Sequence, residues 1–122
     1  MKKILLVSAD GQFLTQLKEG LTQKGFEVDE LAGHEHLFSR IKDIRPEVLV
    51  IDFIMEDENA AALCHKLKSD DATRGLQIIM LSEFEQMEQF TGKFGLFTVV
   101  KKPVDIGALD REISAAGLNS VF

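Results

Sequence analysis

The sequence predicts a single α/β domain: a doubly wound, five-stranded parallel sheet with helices on both faces. Three short runs, Ile4–Val7, Val48–Ile51 and Ile78–Leu81, are wholly apolar and rich in Val, Ile and Leu, as strands buried on both faces are. Stretches with the three- to four-residue spacing of amphipathic helices separate them. The order strand-then-helix occurs five times along the chain, which calls for parallel pairing through right-handed crossovers.

Lys3–Val7 is the first strand. Asp10 stands where an N-cap belongs, positioned to accept from amides near Gln12 and Phe13. Phe13, Leu17 and Leu21 recur every four residues, Leu14 widens the stripe, and Gly25 after Lys24 closes the helix. Phe26–Leu31 alternates apolar with charged residues, as an edge strand does. Leu37, Ile41 and Ile44 form a second stripe, which Pro46 ends. Pro46–Asp52 is the third strand. Ala60, Leu63, Cys64 and Leu67 mark the third helix, with Cys64 a small core residue. Leu76–Leu81 is the fourth strand, Glu83–Lys93 a weaker helix, Phe97–Val100 a short fifth strand, and Ile106–Ala116 a last helix capped by Asp105. The domain spans residues 1–117, and 118–122 read as a tail or the start of a linker.

The chain has 122 residues, 45% apolar and 28% charged, enough for one domain with its own core. Lys and Arg number 14 against 20 Asp and Glu, a net charge of −6. Such a surface repels phosphate backbones and anionic lipid, so direct nucleic-acid binding is not expected. The longest apolar runs are far short of the roughly 18 residues of a membrane span or the about 7–15 of a signal-peptide core. Cys64 is the only cysteine, which excludes an internal disulfide and a CxxC motif. A cytoplasmic location is expected. Neither GxGxxG nor GxxxxGK[ST] occurs, and His34, His36 and His65 do not make a zinc ligand set.

Chemistry in such sheets collects at the carboxyl ends of the strands. Asp52 follows four apolar residues there, Ser82 ends the fourth strand, and Lys102 follows the fifth. Carboxylate, hydroxyl and ammonium together can hold a phosphoryl group: one accepts it and two bind its oxygens. Singly each residue reads as a cap or a solvated charge; together at successive strand ends they point to function. Phosphatases with an aspartyl nucleophile need a second Asp two residues on, where this chain has Ile54.

These residues, with Lys3-Ile4-Leu5-Leu6-Val7, Pro46 to Asp52, Leu67 to Arg74, Ile78 to Ser82 and Lys102-Pro103-Val104-Asp105 in that order, resemble the receiver domain of two-component response regulators. The resemblance runs from Lys2 to about Ala116. It implies a flavodoxin-like receiver fold with strand order 2-1-3-4-5. It gives Asp52 the role of phosphoacceptor, Ser82 that of switch hydroxyl and Lys102 that of phosphoryl-binding lysine, and it implies a cis Lys102–Pro103 bond. It also implies protein partners: a histidine kinase, an output domain in a longer chain, or a second copy. The second copy would dock through the face of the fourth helix, fifth strand and fifth helix, where Phe84, Phe90, Phe94 and Phe97 gather.

Two departures bear on chemistry. Phosphate-accepting receivers carry an adjacent acidic pair after the first strand that holds Mg²⁺; here those positions are Ser8 and Ala9. Mg²⁺ binds proteins through carboxylates, and Asp10 and Asp52 are the only nearby candidates, since Glu56, Asp57 and Glu58 read as a solvated acidic loop. The aromatic switch position three residues before the lysine is Val99, and Glu83 replaces the usual small residue after Ser82. The expectation is a pseudo-receiver, not an enzyme, with no cofactor and an Asp52–Lys102 contact in a metal-free site. One alternative is a conventional, Mg²⁺-dependent receiver phosphorylated on Asp52 by a histidine kinase. A second is a binder of a small anion in the strand-end crevice.

Overall fold

The computed structural model describes residues 2–33, 35–52, 60–71, 73–82 and 98–119, with 60–64, Val99 and 116–119 described by backbone alone. The elements are β1 (Lys3–Ser8), α1 (Gly11–Gln23), β2 (Glu27–Ala32), α2 (Leu37–Ile44), β3 (Val48–Asp52), α3 (Ala60–Ser69), β4 (Gln77–Ser82), β5 (Thr98–Lys101) and the C-terminal helix α4 (Ile106–Asn119). All four strand pairings are parallel and the order is β2-β1-β3-β4-β5. The expected helix over Glu83–Lys93, the Phe84, Phe90, Phe94 and Phe97 cluster, the Glu56–Glu58 loop and His34 lie outside the described residues, as do the side chains of Cys64 and Val99.

Period-two alternation divides the apolar strands between two cores. Leu5, Val7, Leu49, Ile51, Ile78 and Met80 pack with Leu37 and Ile41 of α2 and Leu67 of α3. Ile4, Leu6, Val48, Val50, Ile79, Leu81 and Val100 pack with Leu14, Leu17 and Leu21 of α1 and Leu109 and Ile113 of α4. At the edge, β2 serves both: Val28 lies against the α1/α4 core and Leu31 against the other.

Strand ends differ from expectation by about a residue, for a uniform reason. The ladder is a backbone structure and does not stop where side chains turn polar, so Ser8 pairs with Ala32, Asp52 with Leu81 and Ser82 with Lys101. At the other ends, the Phe26 and Leu76 amides are spent on local bonds to Leu21 and Thr73 carbonyls, and the strands begin one residue later. β3 begins at Val48, not Pro46, which has no amide to give to a ladder. The last helix runs beyond Ala116 to Asn119, so the boundary expected at 117 falls inside it; no proline stands there to stop it.

Helix α1 carries the site and is fixed at both ends. Asp10 caps its start. Gly25, at φ 96°, and Phe26 donate to the Thr22 and Leu21 carbonyls, a Schellman closure that a left-handed glycine permits. Midway, Gly20 meets α4: a Cβ there would lie 2.8 Å from both Cδ1 and Cγ1 of Ile106. Overpacking costs about 1–3 kcal/mol, and alanine returns about 1 kcal/mol in helix propensity. Gly20→Ala is therefore expected to lower stability by about 1 kcal/mol in urea unfolding, although alanine is the better helix former.

Candidate functional site

The site follows from strand parity. Ile4 and Leu6 on β1, Val48 and Val50 on β3, and Val100 on β5 all belong to the α1/α4 core. Two residues further along, the same parity gives Ser8, Asp52 and Lys102. Val7 pairs with Ile51, so Ser8 and Asp52 stand beside one another on adjacent central strands. Both are buried, with 1% and 5% exposure.

A buried carboxylate requires donors, and Asp52 has one on each oxygen. Ser8 donates its hydroxyl to Oδ2 at 2.9 Å, and Lys102 donates Nζ to Oδ1 at 2.7 Å. The ion pair is nearly enclosed, with side-chain exposures of 18% for Lys102 and 7% for Asp52. Ser8 Oγ also accepts from the Asp10 amide at 3.0 Å, so its hydroxyl is used in both directions. Asp10 in turn accepts from the Gln12 and Phe13 amides through Oδ1, at 3.1 and 3.2 Å. The Phe13 ring lies 4.8 Å from Lys102 Nζ, close enough for a cation–π contact.

Lys102 is placed by its backbone as well. Its amide donates to the Ser82 carbonyl at 2.8 Å, and the Lys102–Pro103 bond is cis. Ser82 is buried at the end of β4 with 1% exposure, but its strand position matches Ile78 and Met80 of the opposite core. The structure thus brings Asp52 and Lys102 together as expected and Ser82 next to them through its backbone. Ala9 is exposed, and the Val99 and Glu83 side chains lie outside the described residues. The cleft beside the pair is lined by Asp10, Phe13, Gln16, Leu17, Asp52, Lys102, Pro103, Val104 and Ile106. Another cleft, lined by Lys2, Arg45, Pro46 and Glu47 among others, lies at the amino edge of the sheet, away from this chemistry.

Two participants were not identified as such from sequence. In the sequence Ser8 stands only where an acid is missing; its partnership with Asp52 needs the β1–β3 register, Val7 against Ile51, as well as the even spacing along each strand. Phe13 was read as core; as the most N-terminal member of the α1 stripe it had to lie nearest the strand ends.

The described residues of the site do not fit a hard divalent cation. Such an ion takes carboxylates, whereas here Asp52 has both oxygens engaged, Ser8 is neutral and committed, and the Asp10 carboxylate caps α1. Among the described residues no three of His, Cys, Asp and Glu converge as a metal set. One carboxylate facing one ammonium balances charge without an ion.

This arrangement gives Asp52 a structural load. Removing one partner of a buried pair strands the other, at about 3–5 kcal/mol when fully enclosed; Lys102 retains some solvent, so about 2 kcal/mol is expected for Asp52→Ala. In an acid cluster the same change would relieve repulsion and stabilise. Urea unfolding distinguishes the two by sign.

Comparison with known proteins agrees with this architecture. The family model described as the response regulator receiver domain matches residues 4–114. The chain is 27% identical over 117 residues to the phosphate regulon transcriptional regulatory protein PhoB of Rhizobium meliloti, covering 94% of this chain and 52% of that one. It is likewise 27% identical over 117 residues to the transcriptional regulatory protein AfsQ1 of Streptomyces coelicolor, covering 94% of this chain and 51% of that one. The chain therefore spans about half the length of these curated relatives. Among solved structures, a sensor protein from Polaromonas sp. JS666 superposes with a TM-score of 0.89 at 20% identity, covering 98% of each chain, a likeness of fold. No helix among the described residues is long and apolar enough to cross a membrane. With the fold, the strand-end aspartate and lysine and this match in agreement, the chain belongs to the response regulator receiver domain family.

Proposed function

We propose that this receiver domain is a pseudo-receiver: a cytoplasmic, non-enzymatic signalling module that acts through protein–protein contact without Mg²⁺-dependent phosphorylation of Asp52. The observation that carries the reading is the engagement of both Asp52 oxygens, with Ser8 Oγ on Oδ2 and Lys102 Nζ on Oδ1. A phosphoacceptor oxygen has to be free to attack phosphorus, and the charge that develops on the transferring group has to be met by a preorganised cation. Losing one such stabilising group typically costs about 10²–10³ in rate, and here Ser8 and Ala9 stand where the acidic pair that holds the metal would be. Asp52 is then retained for structure, because Lys102 and Ser8 both depend on it.

Its partners on this reading are proteins, and a histidine kinase or an output domain joined in a longer chain are the kinds that the family suggests. The net charge of −6 disfavours direct contact with nucleic acid. A second reading, a conventional receiver taking a phosphoryl group from a histidine kinase, is favoured by one observation. Asp52, Ser82 and Lys102 occupy the strand ends in the family's order, and the Lys102 amide is bonded to the Ser82 carbonyl. Capture of a small anion is less favoured, since Asp52 already neutralises Lys102.

Backbone amide NMR with millimolar Mg²⁺, followed by beryllofluoride as a phosphoryl mimic, separates the readings. A pseudo-receiver gives no shifts at Asp52, Ser82 and Lys102 with either reagent. Shifts that appear with Mg²⁺ and grow with beryllofluoride would establish the conventional receiver instead. The chain has no Trp or Tyr, so amide shifts are a better probe here than fluorescence.

A further inference from the structure

We infer that Ser8 is the positioning residue that closes this site to divalent cations: its hydroxyl holds Asp52 Oδ2 in the place of a metal and couples the carboxylate to the first turn of α1. The inference rests on the metal-free reading above and goes beyond it. Loss of an acidic pair explains weak metal binding by subtraction alone; the geometry here adds an active competitor.

The chain of bonds is continuous. The Asp10 amide donates to Ser8 Oγ at 3.0 Å, and the Ser8 hydroxyl donates to Asp52 Oδ2 at 2.9 Å. Because the backbone amide uses the oxygen as acceptor, the hydroxyl proton is directed toward the carboxylate. Ser8 is 1% exposed, so this proton has no water to turn to when Asp52 is taken from it. Asp52 Oδ1 is engaged by Lys102 at 2.7 Å. A cation that approaches the carboxylate through Oδ2 therefore competes with the Ser8 hydroxyl for that oxygen's electron density, and where it displaces the bond it leaves a buried hydroxyl without its acceptor, a penalty larger than the bond's own net worth. The same hydroxyl links β3 to the α1 terminus through Asp10, which also caps that helix. A single neutral side chain thus holds together the strand end and the helix start.

The position of Ala9 makes this testable. Ala9 is exposed, so an acid can be introduced there without disturbing a core. In Ala9→Asp a carboxylate is added at the position next to Ser8 and the hydroxyl stays; in Ser8→Ala/Ala9→Asp the same carboxylate is added and the hydroxyl is lost. Both are titrated with Mg²⁺ and followed by backbone amide NMR, beside the unaltered protein. The double variant is expected to bind Mg²⁺ about tenfold more tightly, the release of one charge-assisted hydrogen bond. A role for Ser8 in packing alone predicts no gain in affinity on deleting its hydroxyl. Equal affinities, tighter binding by Ala9→Asp, or no response from either variant overturns the inference.

A second measurement does not depend on metal. In Ser8→Ala the Asp10 amide loses its acceptor, and its hydrogen exchange is expected to accelerate about tenfold while core amides of β1 and β3 keep their protection. Unchanged exchange at Asp10 overturns the coupling. Mg²⁺ binding by the unaltered protein would defeat the metal-free reading and with it the closure by Ser8, whereas equal affinities of the two variants with no binding by the unaltered protein would defeat the closure alone.

Discussion

A carboxylate at the end of an apolar strand has to be answered by donors, and the answer organises this molecule. Val48 to Ile51 lead the chain through the middle of the sheet and deliver Asp52 into a place with 5% exposure. There it draws in an ammonium from the end of β5 and a hydroxyl from the end of β1. Three strand ends are tied at one side chain, and the N-terminus of α1 is joined to them through Asp10. The ring of Phe13 lies beside the Lys102 ammonium.

Such an arrangement changes what an aspartate at this position is for. In a site with several carboxylates the negative charge is in surplus and the position invites a cation or a phosphoryl group. Among the described residues one carboxylate meets one ammonium and one hydroxyl, and their charges balance. On the proposed reading this self-sufficiency lets the domain keep the receiver framework while giving up its chemistry, leaving the surface to carry the signal.

Much of this was legible in the sequence because the signals are local and repeated. The apolar runs around Leu5, Leu49 and Ile79 fixed the central strands, the four-residue spacing of Phe13, Leu17 and Leu21 fixed α1, and Asp10 capped it as its position suggested. The Asp52–Lys102 contact followed from charge balance. What escaped was non-local. The role of Ser8 depends on the β1–β3 register, Val7 against Ile51, which composition and spacing do not disclose. Strand ends shifted because apolar patterning reports burial, whereas the ladder that defines a strand extends into polar residues such as Ser8 and Ser82.

The division of the strands between two cores has a consequence for how this molecule can vary. Ser8, Asp52 and Lys102 share the parity of the residues packed on α1 and α4, where Gly20 leaves no room against Ile106. The apolar core covered by α2 and α3 lies on the other face of the sheet. Its apolar side chains answer mainly to volume and tolerate exchange, provided the space is filled. The opposite face is constrained by both packing and charge. The molecule is thus two-sided in its tolerance: a permissive layer that serves as ballast, and an exacting one that carries the memory of its ancestry.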